Sequence, residues 1–243
     1  MSLARRTLIP TAAALLLAAP AHAQNLIANG SFETPGLQGT VALFGGGSTI
    51  GGPTPGTRWT VLGTDVAVLR DDYNEGFNGV GSWPAAEGRQ FADLTGTGGG
   101  NSANGIEQVV GTTVGNRYRL DFQLGRALSS FTGSPFYSAI PRLDLQIDGG
   151  ARIQFTNDAS TPIGSVNWRP FVFEFTAANA QTTVRFFRGD GGASPSLVGL
   201  DAVSLTDITA TSAVIPEPST YALLGTGLGA LGLASRRRRR AVG

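Results

Sequence analysis

Arg117-Tyr118-Arg119-Leu120-Asp121-Phe122-Gln123-Leu124 alternates without a break. Tyr118, Leu120, Phe122 and Leu124 fall on one side of an extended chain, and Arg117, Arg119, Asp121 and Gln123 on the other. Strict period-two alternation predicts a strand with one side in a core and one in water. The same period recurs outward in both directions. Phe171, Phe173 and Phe175 make a second set, ending in Thr176-Ala177-Ala178, and Thr183-Val184-Arg185-Phe186-Phe187 a third. Leu143-Asp144-Leu145-Gln146-Ile147 is a fourth, running into the turn Asp148-Gly149-Gly150. Val66–Leu69, Gln90–Leu94, Ile106–Val110, Arg152–Phe155 and Leu200–Leu205 complete the series, with Gly-, Asn- and Pro-rich turns between them. No ordinary helix-period segment interrupts them. Strands of this number and spacing predict an all-β fold, an antiparallel two-sheet β-sandwich of the jelly-roll kind. The Gly-, Pro-, Ser- and Thr-rich run from Phe44 to Gly56 reads as a long surface loop.

Composition narrows the chemistry. The 35 Gly among 243 residues are about twice the usual ~7%. There is no Cys and no Lys, and the only His is His22. A disulfide framework, a thiol nucleophile, a Cys-based zinc site and a Schiff-base lysine are therefore excluded. No G-x-S-x-G or other catalytic signature is present, and the expectation is a protein without enzymatic activity.

The two ends stand apart from the body. Arg5 and Arg6, the apolar run Ala12–Ala19 and the small-x-small site Ala21-His22-Ala23 read as a secretory signal peptide over residues 1–23. Cleavage after Ala23 would remove the only His. A β-sandwich domain is expected over 24–205 and a linker over 206–215. From Gln24 to Ala213 there are 11 Arg against 16 acids, a net charge of −5, which leaves no electrostatic footprint for nucleic acid.

Pro216-Glu217-Pro218 then precedes an apolar stretch, expected to be a transmembrane helix over about 219–234. The cationic cluster Arg236, Arg237, Arg238, Arg239 and Arg240 follows. The apolar stretch is short for a hydrocarbon core that usually needs about 20 residues, a deficit that snorkelling arginines and a thinned bilayer can cover. The positive-inside rule keeps the Arg cluster cytoplasmic and the body outside. Three features in this order at the chain end, over 216–243, resemble the PEP-CTERM sorting signal. The resemblance implies a Gram-negative bacterium that makes exopolysaccharide. It also implies recognition by an exosortase, with anchoring in the inner membrane before processing and a cell-surface or extracellular destination afterwards.

Within the body, Asn25-Leu26-Ile27-Ala28-Asn29-Gly30-Ser31-Phe32-Glu33 opens the chain and Gly199-Leu200-Asp201-Ala202-Val203-Ser204-Leu205 closes it. Between them, in order, come Trp59-Thr60-Val61, Glu87-Gly88, Ala92-Asp93-Leu94, Gly105-Ile106-Glu107-Gln108 and Gly115-Asn116-Arg117-Tyr118. The set resembles the galactose-binding-like β-sandwich modules, particularly the carbohydrate-binding-module branch. That resemblance implies one structural calcium ion held between first and last strands, carried here by Glu33 and Asp201 with backbone carbonyls. Calcium takes carboxylate and carbonyl oxygens. Asp201 shares parity with Val203 and Leu205 and is expected to point inward. Solvated strand-end acids, or acids paired with Arg, are the other reading.

Sugar recognition uses aromatic faces with polar groups around them. Trp59 and Trp168 read as packing residues. Trp83, in the polar loop Gly79–Pro84, and Tyr73, in the loop Arg70–Gly76, read as ligand-binding candidates, with Trp83 expected to be exposed. The expected function is an exported envelope protein that binds or organises extracellular polysaccharide. The alternative is a structural or adhesive matrix protein that binds protein partners or itself.

Overall fold

The computed structural model describes residues 24–52, 54, 56–73, 83–96, 103–128, 130–131, 134–135, 137, 139–189, 196–209 and 226. The predicted signal peptide lies outside them, as do residues 210–215 of the linker and all of the sorting tail except residue 226. Among the described residues no helix is long and apolar enough to cross a membrane.

Among its described residues the body forms strands and no helix. In order they are β1 (Val41–Gly45), β2 (Thr49–Gly51), β3 (Arg58–Leu62), β4 (Asp65–Arg70), β5 (Gln90–Asp93), β6 (Gly105–Gly111) and β7 (Arg117–Leu128). Then follow β8 (Ser130–Phe131), β9 (Ser134–Pro135), β10 (Arg142–Ile147), β11 (Ile153–Thr156), β12 (Ser165–Thr176), β13 (Gln181–Arg188) and β14 (Gly199–Asp207). Two six-stranded sheets carry the fold. Sheet A has the order β1-β4-β5-β14-β7-β12, and sheet B the order β11-β10-β13-β6-β3-β2. Every pairing is antiparallel, and β8 and β9 form a separate short ribbon.

The two longest strands, β7 and β12, pair over their full length, from Arg117↔Thr176 to Leu128↔Ser165. Their alternation sends Tyr118, Leu120, Phe122 and Leu124, with Phe171, Phe173 and Phe175, into the space between the sheets. There they meet Val184, Phe186, Ile106, Trp59 and Phe32 from the other side. The rings of Phe122 and Phe186 lie 5.2 Å apart, Phe32 and Trp59 5.9 Å, and Phe122 and Phe155 5.1 Å. Burial of each such side chain stabilises the fold by about 1.5–3 kcal/mol. The N-terminal segment is pinned along β14: Leu26 donates to the Leu205 carbonyl at 2.8 Å, and Val203 donates to the Gly30 carbonyl at 3.0 Å. Trp59 Nε1 donates to the Asn29 carbonyl at 3.0 Å, which ties that segment to sheet B.

The Phe44–Gly56 run is not all loop. It contains the end of β1 and all of β2, and Ile50 is fully buried opposite Trp59. One large aliphatic side chain at the edge of a core suffices to fix a three-residue strand.

Candidate functional site

The outer side of sheet A, turned away from the main core, carries its own aromatic cluster. Alternation places Ala67 and Leu69 of β4, Phe91 of β5, Ala127 of β7 and Val166 of β12 there, with Leu197 just before β14. Trp168 of β12 shares this side, because Phe171, Phe173 and Phe175 take the opposite parity. It sits opposite Gly125. A Cβ on Gly125 would come within 2.7 Å of the Trp168 ring and one on Gly199 within 3.1 Å, so the indole lies flat across two glycines. Phe91 meets it edge-on at 5.2 Å. Trp83 stands between Tyr73, at 5.4 Å, and Tyr137, at 5.5 Å.

The structure thus brings Tyr73 and Trp83 together, but it corrects the expectation of an exposed Trp83. That side chain is only 3% exposed, because Tyr73 and Tyr137 flank it and β4 and β5 lie beneath. Tyr73, Tyr137 and Trp168 are half-buried and keep part of their faces at the surface. Sequence reasoning missed Trp168 and Tyr137. The strand period of β12 already assigns Trp168 to the side away from the core, whereas Tyr137 has no pattern around it.

Past the aromatic floor the strand bulges. The β14–β7 register shifts between Asp201, opposite Gln123, and Ser204, opposite Asp121, and Ala202 takes a left-handed φ of 50°. Leu200, Val203 and Leu205 all enter the core, so Asp201 turns to the outer side of sheet A and not inward. The parity argument fails there because a bulge adds a residue. Asp201 is nonetheless fully buried. Its Oδ2 accepts from the N–H groups of Ala86 and Glu87 at 2.8 and 2.9 Å, and its Oδ1 from Ala202 at 2.7 Å. Burial pushes its carboxyl up to about 7, against the pull of those N–H groups, and nearby Glu87 adds to the rise.

Glu33 is exposed and grips the same segment: Oε1 accepts from the N–H groups of Arg89 and Gln90, each at 2.7 Å. With Trp168 Nε1 donating to the Pro84 carbonyl at 2.8 Å, residues 84–90 form a strap held at three points across sheet A. Both acids singled out for calcium therefore converge on one short segment. Neither forms an ion pair among the described residues. No group of three or more His, Cys, Asp or Glu side chains converges among those residues. Each carboxyl keeps lone pairs beyond those it gives to backbone N–H groups. The Asp71-Asp72 pair beside Tyr73 is engaged otherwise, Asp72 with Arg70 and Asp71 with Arg89.

A third acid lies in this region. Asp93 of β5 sits between Ala67 and Gly199, its Oδ1 accepting from the Thr95 N–H at 2.9 Å. Burial raises its carboxyl to about 7, while the Thr95 and Val198 hydrogen bonds and the charge of Arg188 pull it down. Gln123 Oε1, beside Asp201, is buried with no hydrogen-bond partner among the described residues. A polar hollow of about 470 Å³ opens nearby, lined by Asn25, Asn29, Ser31, Glu87 and Ser204 among others.

Comparison with known proteins bears on both the tail and the body. Residues 214–240 match the PEP-CTERM protein-sorting motif. The motif implies processing by an exosortase and an extracellular, cell-surface destination. No curated protein matches the chain closely enough to count as a relative. Among solved structures, a cyclase from Fischerella sp. TAU is similar at 19% identity over 79% of this chain and 100% of its own, with a TM-score of 0.53. The Stig cyclase Fisc of the same organism, solved in complex with (3Z)-3-(1-methyl-2-pyrrolidinylidene)-3H-indole, is similar at 20% identity over 76% and 98%, with a TM-score of 0.52. The CBM22-1 xylan-binding domain of Paenibacillus barcinonensis Xyn10C aligns at 17% identity over 79% and 100%, with a TM-score of 0.41. The cyclases share this two-sheet β-sandwich fold, and identities this low speak to fold alone.

Proposed function

We propose that this is an exported, non-catalytic envelope or extracellular-matrix protein whose body binds or organises exopolysaccharide. The observation that carries the reading is the aromatic face on sheet A. Trp168 lies flat on Gly125 and Gly199, and Tyr73 and Tyr137, half-exposed, belong to the same cluster through Trp83. Flat aromatic faces take sugar C–H groups, and the polar groups beside them take hydroxyls. Trp83 supports Tyr73 and Tyr137 from behind. The tail holds the precursor in the inner membrane, with Arg236–Arg240 on the cytoplasmic side, until the exosortase acts near Pro216-Glu217-Pro218.

Glu33 and Asp201 would hold one structural calcium, which would supply the positive charge this pair lacks and lock the 84–90 strap. In thermal unfolding, a chelator is expected to lower the midpoint of the purified protein and added calcium to restore it. An unchanged midpoint would count against the ion.

The test of the binding reading is electrophoresis of the exported body through native gels cast with bacterial exopolysaccharides. Retardation is expected, at least tenfold weaker in Trp168→Ala and reduced in Tyr73→Ala, with circular dichroism confirming the fold. Free migration through every polysaccharide would reject it.

One observation favours self-association as a second reading. Edge strand β1 carries no charge and no proline, and its Val41 and Leu43 are 44% and 53% exposed. Bare apolar edges are ready templates for another strand. Sedimentation analysis that finds oligomers lost in Leu43→Lys, with no retardation by glycans, would favour this reading.

A further inference from the structure

We propose that the mature chain begins with Gln24 and that this glutamine closes on itself to a pyroglutamyl residue, a blocked amino terminus. The proposal rests on reading Ala21-His22-Ala23 as the export cleavage site. It goes beyond sorting and sugar binding to a covalent modification.

The fixed part of the chain starts immediately after the scission point. Asn25 Oδ1 accepts from the N–H groups of Ile27, at 3.0 Å, and Leu205, at 2.9 Å. Leu26 donates to the Leu205 carbonyl at 2.8 Å. Gln24 is the single residue ahead of these anchors. It is exposed and has no hydrogen bond or ion pair among the described residues. Its carboxamide and its new α-amine are therefore both free to rotate into contact, and no described residue competes for the carboxamide.

The chemistry needs no second reactant. A free α-amino group has a pKa of about 7.7–8.0, so an appreciable fraction is unprotonated near neutral pH. The amine lone pair attacks Cδ of the Gln24 side chain. The N–Cδ bond forms, the Cδ–Nε2 bond breaks, and ammonia leaves with the proton shed by the amine. The product is a five-membered lactam. Only Gln24 atoms react, so the Asn25 and Leu26 anchors are untouched. The reaction removes a terminal cation, as other terminal blocks do, and leaves the body at its side-chain charge of −5. It also removes the free amine that aminopeptidases require, a useful property in a protein that stays outside the cell.

Full-length chain expressed in an exporting Gram-negative host, recovered from its surface or medium, tests this by mass mapping and sequential N-terminal degradation. The expected amino-terminal peptide begins at Gln24, lacks the mass of one ammonia and resists degradation. The Gln24→Ser variant, processed at the same site, is expected to show no such loss and to degrade normally. A peptide that begins at Gln24 and keeps its free amine through prolonged incubation at neutral pH would overturn the cyclisation. A peptide that begins at another residue would overturn the cleavage reading beneath it.

Discussion

Asp93 and Asp201 give this fold a pH dependence of unusual sign. Both carboxyls are raised to about 7 by burial, against an ordinary 3.8. The folded state then holds protons that the unfolded chain has already released. The stabilisation is complete below pH 4 and is lost as pH rises through about 7. Unfolding free energy is expected to fall between pH 4.5 and 7.5, by at most about 1.4 kcal/mol per pH unit for each acid. Urea titrations across that range check it, and Asp93→Asn is expected to flatten the slope. Calcium at Asp201 would hold that carboxyl ionised, so a chelator should steepen the slope if the ion is present. Asp201 was legible in sequence as a special acid but not in its direction, because the bulge at Ala202 depends on pairing with β7 that no local pattern announces. The exposure of Trp83 was misjudged for a related reason: its cover comes from Tyr73, on a loop with no strand pattern, and from Tyr137, distant in sequence.

Elements with clear apolar runs or alternation were legible, the four-residue β5 and β11 among them, and those in Gly-rich sequence were not. The eight-residue pattern from Arg117 gave β7, which extends on to Leu128, and the three phenylalanines gave the inner half of β12. Truncating the centre of this pair, Phe122→Ala, is expected to cost about 3–5 kcal/mol in chemical denaturation, since Phe122 is 2% exposed and packs against Phe155, Phe171 and Phe186. The strands β1 and β2 were hidden in Gly-rich sequence, where a single buried Ile50 outweighs poor strand propensity. On the outer side of sheet A, Gly125 is the element that seats Trp168. Gly125→Val should lift the indole out of place, lose glycan retardation and leave the core-derived circular dichroism unchanged. Coincident loss of both would mean that Trp168 serves packing only.

At the scale of the whole molecule, an acidic sandwich body is followed in the chain by a sorting motif. The tail was legible because its three features follow in order at the chain end, and residues 214–240 match the sorting motif. The aromatic face proposed to take sugar was only half legible, because it is assembled from β12, the 84–90 strap and loops that come together in the fold. Delivery and binding meet in one experiment. The exopolysaccharide fraction and the inner membrane are separated from cells with and without the exosortase, and the chain in each is mapped by mass. With the exosortase, the account predicts the body, without its Arg236–Arg240 end, in the polysaccharide fraction; without it, the full tail stays in the inner membrane. A body that keeps its tail in both strains, or that is shed free of polysaccharide when processed, would contradict it.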